Sequence, residues 1–319
     1  MRRAYKKGSI MKIITLTLSP AFDIHCSGDE LIVNHENIAT VTDNDAGGKG
    51  INISRALTVF GIKNTAVAIL GEENGDSFAR AVRADGIDLL VIPDKGRIRE
   101  NITLHTKDGK ETRLSFTGTG TSDGVFDMVK EKISEIADEN TVLTVTGRVP
   151  DGISIASVKE MIKDLKKRGV RIVVDSRSFT IADLIEVSPY LIKPNEEEIV
   201  TYVQKKVSGV ADAISAARDL YNKGIENVMV SLGALGAVIV SQSGIYHAKA
   251  PSIAAVSTIG AGDSSIAGFI MGMALGEDAE HCLRRAVAFG TGACMTAGTK
   301  PPRKSDVLDL IEKIESSKQ

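Results

Sequence analysis

No stretch of this chain is apolar for the ~18 consecutive residues that a membrane span requires. Nor does charge of one sign dominate: the formal net charge is −2, and the one basic block is MRRAYKK at residues 1–7. Neither a nucleic-acid nor a membrane-surface footprint is therefore expected. No apolar h-region follows those basic residues, so a signal peptide is not expected either. We expect residues 1–10 to be a disordered extension or an upstream start ahead of Met11, where a clean strand pattern begins. Cysteine is scarce. Cys26, Cys282 and Cys294 have neither metal-ligand nor disulfide-framework spacing, and an odd, unpatterned set suits a reducing cytoplasm. Repeats of solenoid period and low-complexity linkers are absent as well.

What is present is apolar residue, 43% of the chain against 25% charged. Over 319 residues this allows two domains, or one large α/β domain with an appendage. The segments KIITLTL, TAVAIL (65–70), IDLLVI (87–92), TVLTVTG (141–147), VRIVVDS (170–176), YLIKPN (190–195) and NVMVSLG (227–233) read as short buried strands. Between them, GINISRALTVFG (50–61), DSFARAVRADG (76–86), SIASVKEMIKDLKKRG (154–169) and ADAISAARDLYNKG (211–224) carry apolar residues at helical spacing. Alternation of this kind predicts a mostly parallel sheet covered on both faces. Two stretches break the rhythm. Residues 23–46 and 100–118 read as extended β structure, the second with a hairpin signal at Lys107-Asp108-Gly109-Lys110. Both follow a strand of the main sheet, which predicts a small β-lid.

Ligands of open α/β sheets bind beyond the carboxyl ends of the strands. The clusters SPAFD, AGGKGIN, TGRVP, DSRS, KPNEEE, SLGALG and TIGAGD all fall at such ends. AGGKGIN (46–52) is no nucleotide phosphate loop, because no Ser or Thr follows Lys49. It also fails the dinucleotide fingerprint, with Ile53 at the third glycine position; TIGAGDSS fails likewise at Ser265, which disfavours an NAD-dependent oxidoreductase. Two readings stay open for it: a plain strand-to-helix turn, or glycine N–H groups approaching a ligand with Asn52 in reach of hydroxyls. For STIGAGDSS (257–265) the choice is similar. Asp263 either stabilises a helix start by ~0.3–1 kcal/mol, or accepts a proton beside an anion nest made by Gly260, Ala261 and Gly262.

AGGKGIN, KPNEEE and STIGAGDSS, in that order, resemble the pfkB (ribokinase-like) carbohydrate kinases from about Met11 to the C-terminus. TLSPAFD and VSLGALGA resemble the family's sugar-phosphate branch. The resemblance implies a three-layer α/β/α sandwich with a mainly parallel sheet and a β-lid, as one kinase domain over 11–319 with lid segments near 23–46 and 98–118. It implies ATP and Mg²⁺, with Asp263 as general base and Gly260, Ala261 and Gly262 as the anion hole. Asp23, Gly47, Gly48, Lys49, Asn52, Arg99 and Asn101 would hold the sugar phosphate. Lys193, Ser231, Gly233, Gly236 and Gly290 would serve the nucleotide, while Asn195 and Glu198 organise Mg²⁺ through water. Each has a plainer alternative: Asn195 as a helix N-cap with Glu residues matched to the dipole, SLGALGA as strand-turn-strand, Arg99 as a solvated partner of Glu100.

This chain departs from the branch at three places. Asn34-His35 stands for Asn-Arg, Arg148 for a serine, and Asp175-Ser176-Arg177-Ser178 for D-[TS]-S-G. We expect Arg148 or Arg177 to supply charge that His35 supplies only partly at neutral pH. Fructose 1-phosphate is the expected acceptor, ahead of tagatose 6-phosphate or fructose 6-phosphate; a non-catalytic sugar-phosphate sensor is the alternative of a different class. The exposed face of a β-lid invites pairing, so a homodimer is expected.

Overall fold

Residues of Lys12–Thr17 point alternately to two sides, and this stretch forms β1, with Ile14 and Leu16 in one hydrophobic cluster and Ile13 in another. The computed structural model describes residues 11–118 and 120–319; the expectation for residues 1–10 lies outside them. After β1 the chain makes β2 (Ala21–Gly28) and β3 (Thr40–Gly47), then α1 (Lys49–Val59), β4 (Thr65–Gly71), α2 (Gly75–Ala84) and β5 (Asp88–Asp94). A second excursion forms the hairpin β6 (Arg99–Thr106) and β7 (Glu111–Leu114). Next come α3 (Val125–Ile136), β8 (Thr141–Thr146), α4 (Ile155–Lys167), β9 (Arg171–Asp175), α5 (Ile181–Val187) and β10 (Leu191–Ile192). The remainder is α6 (Glu196–Val203), α7 (Gly209–Asn222), β11 (Asn227–Ser231), β12 (Ala237–Ser241), β13 (Gly244–Ala248), α8 (Ala261–Ala274), α9 (Ala279–Ala293), α10 (Lys304–Lys313) and β14 (Ser316–Lys318).

Ten strands build one sheet in the order β14-β13-β12-β11-β10-β9-β8-β1-β4-β5. From β11 to β5 every pairing is parallel, and β12 to β14 close the other end antiparallel. Helices α3 to α7 cover one face through Val129, Ile162, Leu184, Ile199 and Leu220. On the other face lie α1, α8, α9 and α10, through Leu57, Phe269, Phe289 and Val307. Both faces are thus apolar, as a parallel sheet demands. Among the described residues no helix is long and apolar enough to cross a membrane.

The two excursions meet in a separate four-stranded sheet, β3-β2-β6-β7. β2 and β6 run parallel, the outer pairs antiparallel. The hairpin turn falls where the sequence places it: Thr106 N and Oγ1 both donate to Lys110 O, Thr106 O accepts from Gly109 N, and Gly109 takes φ +79°. Two expectations need correction. Residues 23–46 are not continuous β structure, because 29–39 form a loop in which the Asn37 side chain bonds Ile32 N, Ile32 O and His35 O. Those local bonds replace a strand ladder. The strand expected over 190–195 is regular only at Leu191–Ile192, followed by an isolated parallel bridge from Asn195 to Ser231; Pro194 has no N–H to give, and Asn195 already caps α6.

Candidate active site

Thr17, Thr146, Asp175 and Ile192 end β1, β8, β9 and β10 on one side of the sheet, and the N-termini of α1 and α8 open on that same side. The lid sheet stands over this edge. Between them lies a cavity of about 760 Å³ whose lining reaches from Asp263 to Arg113.

At one end is the start of α8. Gly260 is left-handed at φ +79°, and the first-turn N–H groups that follow have no acceptor within the helix itself. Ala261 N–H turns back to Thr258 O at 3.4 Å, so Gly262 and Asp263 supply the better-placed donors. Gly262 has no side chain, and that absence matters: a Cβ there would come to 3.1 Å from Lys193 Nζ, so the ammonium can lie against the nest. Asp263 makes no side-chain cap. Its Oδ2 instead accepts from Asn52 Nδ2 at 2.9 Å, and the residue is buried. Burial pushes its carboxyl up to about 6; Lys49, the Asn52 bond and Lys193 oppose this, and Asp175 adds to it. A buried carboxylate that titrates near 6, beside N–H donors, has the form of a general base at an anion site.

Lys49 does not point freely into the cavity. Its Nζ donates to Asp175 Oδ2 at 2.8 Å. Burial raises the Asp175 carboxyl, yet Lys193 and Lys49 outweigh it and hold the group below the usual range. Gly48 starts the turn into α1 at φ +123°, and a Cβ would strike Thr17; Gly47 lies equally close against Asp23.

The other end belongs to the lid. Asp23 Oδ1 accepts from Asn101 Nδ2 at 2.8 Å and from Arg113 at 2.7 Å. Arg99 donates to Phe116 O (2.8 Å), Asn101 Oδ1 (3.3 Å) and Ser19 O (3.3 Å), and its buried Nε has no partner among the described residues. Burial lowers the Arg99 pKa, Asp23 opposes, and the nearby charges of Arg113 and Arg148 lower it further. Among the described residues, Arg148 has only a loose contact at 3.6 Å with the exposed Asp151. Glu100 is the partner of Arg97, not of Arg99.

Not every expected residue lines the cavity. Asn195 and Glu198 form a reciprocal capping box at the start of α6, each side chain bonded to the other's N–H. Both also border the cavity, so the cap and a role at the mouth are compatible. Arg177 donates to Glu198 Oε1 at 2.8 Å, placing it at the Asp263 end rather than among the lid arginines. His35 is exposed in the 29–39 loop, its Nδ1 beside Val33 O. Ser231, Gly233 and Gly236 form the end of β11 and the tight turn into β12, outside the lining of this cavity. Gly290 faces Ser265 and Ala261, where a side chain would collide with α8. Sequence reasoning missed Arg113 and Arg55, and it named Asp175 within a motif without giving it a role. Arg113 and Ser115 both line the cavity at period two, and Asp175 ends a strand; those were the available signals. Arg55 had none.

A parallel sheet with a β-lid, holding a buried carboxylate at a helix start and arginines opposite, defines a ribokinase-like phosphotransferase frame. The pattern of the pfkB family carbohydrate kinases matches residues 24–306, and the chain belongs to that family. It is 34% identical over 278 residues to 1-phosphofructokinase of Escherichia coli K12, covering 87% of this chain and 89% of that protein. Phosphofructokinase-2 of Escherichia coli, solved with substrates and products, superposes with a TM-score of 0.90 at 26% identity, over 95% of this chain and 99% of that one. The same protein in a tetrameric inhibited form gives 0.85 at 25% identity, with the same coverage.

Proposed function

We propose that this protein transfers the γ-phosphoryl of ATP to the free primary hydroxyl of fructose 1-phosphate, giving fructose 1,6-bisphosphate and ADP. One observation carries the acceptor class. The cavity that holds Asp263 at one end gathers Arg99, Arg113 and Arg148 at the other, against Asp23 and the loosely placed Asp151. Such a surplus of guanidinium suits an acceptor that already bears a phosphate, since the planar fork binds phosphate bidentately. The likeness to 1-phosphofructokinase supports fructose 1-phosphate. Fructose 6-phosphate is the second reading, supported by the likeness to phosphofructokinase-2.

In the reaction Asp263 takes the hydroxyl proton as the oxygen attacks phosphorus, and the bond to the ADP oxygen breaks in line. The N–H groups at the α8 start, with Lys193 beside Gly262, stabilise the charge on the phosphoryl oxygens. Gly47, Gly48, Asn52, Asp23 and Asn101 position the sugar; Ser231, Gly233 and Gly236 border the nucleotide, and Gly290 supports α8 behind it. Among the described residues no cluster of His, Cys, Asp and Glu could cage a metal. Asn195 and Glu198 offer hard oxygen atoms at the cavity mouth, which fits Mg²⁺ held largely by waters and nucleotide phosphates. Bound there, Mg²⁺ would neutralise phosphate charge. We read residues 11–319 as one kinase domain whose lid segments, near 23–46 and 98–118, exclude water on closing. Val33, Ile38, Val41, Leu114 and Phe116 leave the lid with exposed apolar surface, which favours a homodimer through the lid.

ADP release with ATP and a panel of fructose 1-phosphate, fructose 6-phosphate, tagatose 6-phosphate and unphosphorylated fructose tests this. Fructose 1-phosphate should give the highest kcat/KM, and Asp263→Asn should lower turnover of all four by about 10²–10⁴. Highest kcat/KM with free fructose would sink the sugar-phosphate assignment. Binding of sugar phosphates without any turnover would make the protein a sensor.

A further inference from the structure

Behind Asp263 runs a chain of side chains that never touches the cavity contents directly beyond its first member. Asn52 and Arg55 are three apart on α1 and so share a face. Asn52 Nδ2 donates to Asp263 Oδ2 at 2.9 Å, and Asn52 Oδ1 accepts from Arg55 NH1 at 3.3 Å. Arg55 is itself pinned twice more: Nε donates to Asp85 Oδ2 at 2.8 Å, and NH2 to Ala46 O at 2.6 Å. Arg55 as a whole is as buried as Asn52. Asp85, just past the end of α2, is the member that reaches solvent.

An amide side chain can face either way, and its two ends are sterically alike. Reversed, Asn52 would set its NH₂ against the guanidinium and its oxygen against the Asp263 carboxylate, two repulsions for two bonds. A donor-only group at Oδ1 therefore dictates that the NH₂ faces Asp263. We propose that Arg55 is a positioning residue for the catalytic base: held by Asp85 and by the Ala46 carbonyl at the end of lid strand β3, it fixes Asn52 so that the amide donates to Asp263. The inference rests on Asp263 being the base. It adds a link between the lid and the chemistry, because Ala46 immediately precedes Gly47-Gly48.

The sign of the effect follows from which form the bond favours. Donation from Asn52 stabilises the ionised carboxylate, as do Lys49 and Lys193, whereas burial and Asp175 favour the protonated form. Loosening Asn52 removes one stabiliser and leaves the others. In Arg55→Met, assayed as the full chain with ATP and fructose 1-phosphate, the acid limb of the kcat profile should move up by about one pH unit, a tenfold change in the ratio of ionised to protonated carboxyl. At pH 7 kcat should fall and then recover toward wild type at higher pH, while KM for the sugar phosphate changes little. Arg55→Lys should recover part of the shift. Asn52→Leu combined with Arg55→Met should be no worse than Asn52→Leu alone, because Arg55 acts only through Asn52. If Arg55→Met does not fold, Asp85→Asn loosens the same guanidinium from its exposed end and should give a smaller shift in the same direction. An acid limb at the wild-type position in the folded variants, with additive losses in the double variant, overturns the relay. Asp263→Asn keeps the two ideas apart: retained activity there removes the base itself, whereas an inactive Asp263→Asn beside an unshifted Arg55→Met removes the relay alone.

Discussion

The two ends of the cleft are built on opposite electrostatic plans. At the lid end Arg99, Arg113 and Arg148 face Asp23, with Asp151 at the solvent edge. At the nest end Lys49, Lys193 and Arg177 meet Asp175, Asp263 and Glu198, with ion pairs at 2.8 Å in Lys49–Asp175 and Arg177–Glu198. One end keeps cationic charge unspent; the other sets three cations against three acids, two of the pairs in direct contact, and draws its remaining positive potential from backbone N–H groups. An anion that must be held through the reaction belongs at the first. A phosphoryl that must arrive and leave belongs at the second, where tight pre-existing pairs prevent over-stabilising it before transfer.

The strongest way to break this contrast is at its nest end. Asp263→Asn should lower kcat by about 10²–10⁴, the range for a positioned acid–base group, with sugar-phosphate KM nearly unchanged. In wild type, kcat/KM should fall tenfold per pH unit below about 6, because a protonated Asp263 cannot accept the hydroxyl proton. A steady-state pH profile checks both. An acid limb near 4 would mean that burial does not control the base.

At the lid end the expected effect moves from kcat to KM. Arg99→Ala should raise sugar-phosphate KM about 10–100-fold, the value of a charge-assisted pair or two. Arg148→Ser should raise it less, about tenfold, since Arg148 is the more exposed of the two. Arg177→Ser should leave sugar KM alone and alter nucleotide KM, because its partner is Glu198. That divides the two departures that the sequence could only name together: a sugar KM that responds to Arg177 but not to Arg148 would reverse the assignment of the ends.

How far this could be read beforehand depends on the range of the interaction. Glycines before a helix and an acid inside its first turn are local patterns, so AGGKGIN and STIGAGDSS stood out. The Asn52–Asp263 bond joins residues 211 apart, and nothing near Asn52 announces it. Arg55 on an amphipathic helix reads as a solvated residue until Asp85 and Ala46 are seen beside it. Likewise the mainly parallel sheet and the lid were legible from strand–helix alternation and two β excursions, though the strand order was not. The 29–39 loop was not, since Asn37 replaces ladder bonds with side-chain bonds that alternation does not register. Strands β13 and β14 escaped notice because both pair at the antiparallel edge and bury little of their surface, so neither shows a buried apolar run.

The smallest effect is the most discriminating, because it concerns stability. The folded-state pKa of Asp263, about 6, lies above the ordinary carboxylate value of 3.8. The native protein therefore binds this proton more tightly than the unfolded chain. Relative to a neutral side chain, the carboxyl costs nothing below about pH 4; the penalty builds as pH rises from there through 6 and is complete above it. Asp263→Asn removes the ionisation and keeps the shape. It should melt about 2–4 °C higher than wild type at pH 8, and the gain should vanish near pH 4. The lid end predicts the reverse sign. Asp23 is buried but receives Asn101 and Arg113, so Asp23→Asn leaves a guanidinium unpaired and should lower the melting temperature at pH 8. Opposite shifts from the same Asp→Asn change would show that one end of the cleft stores strain for catalysis while the other is organised for binding. Two shifts of the same sign would collapse the distinction.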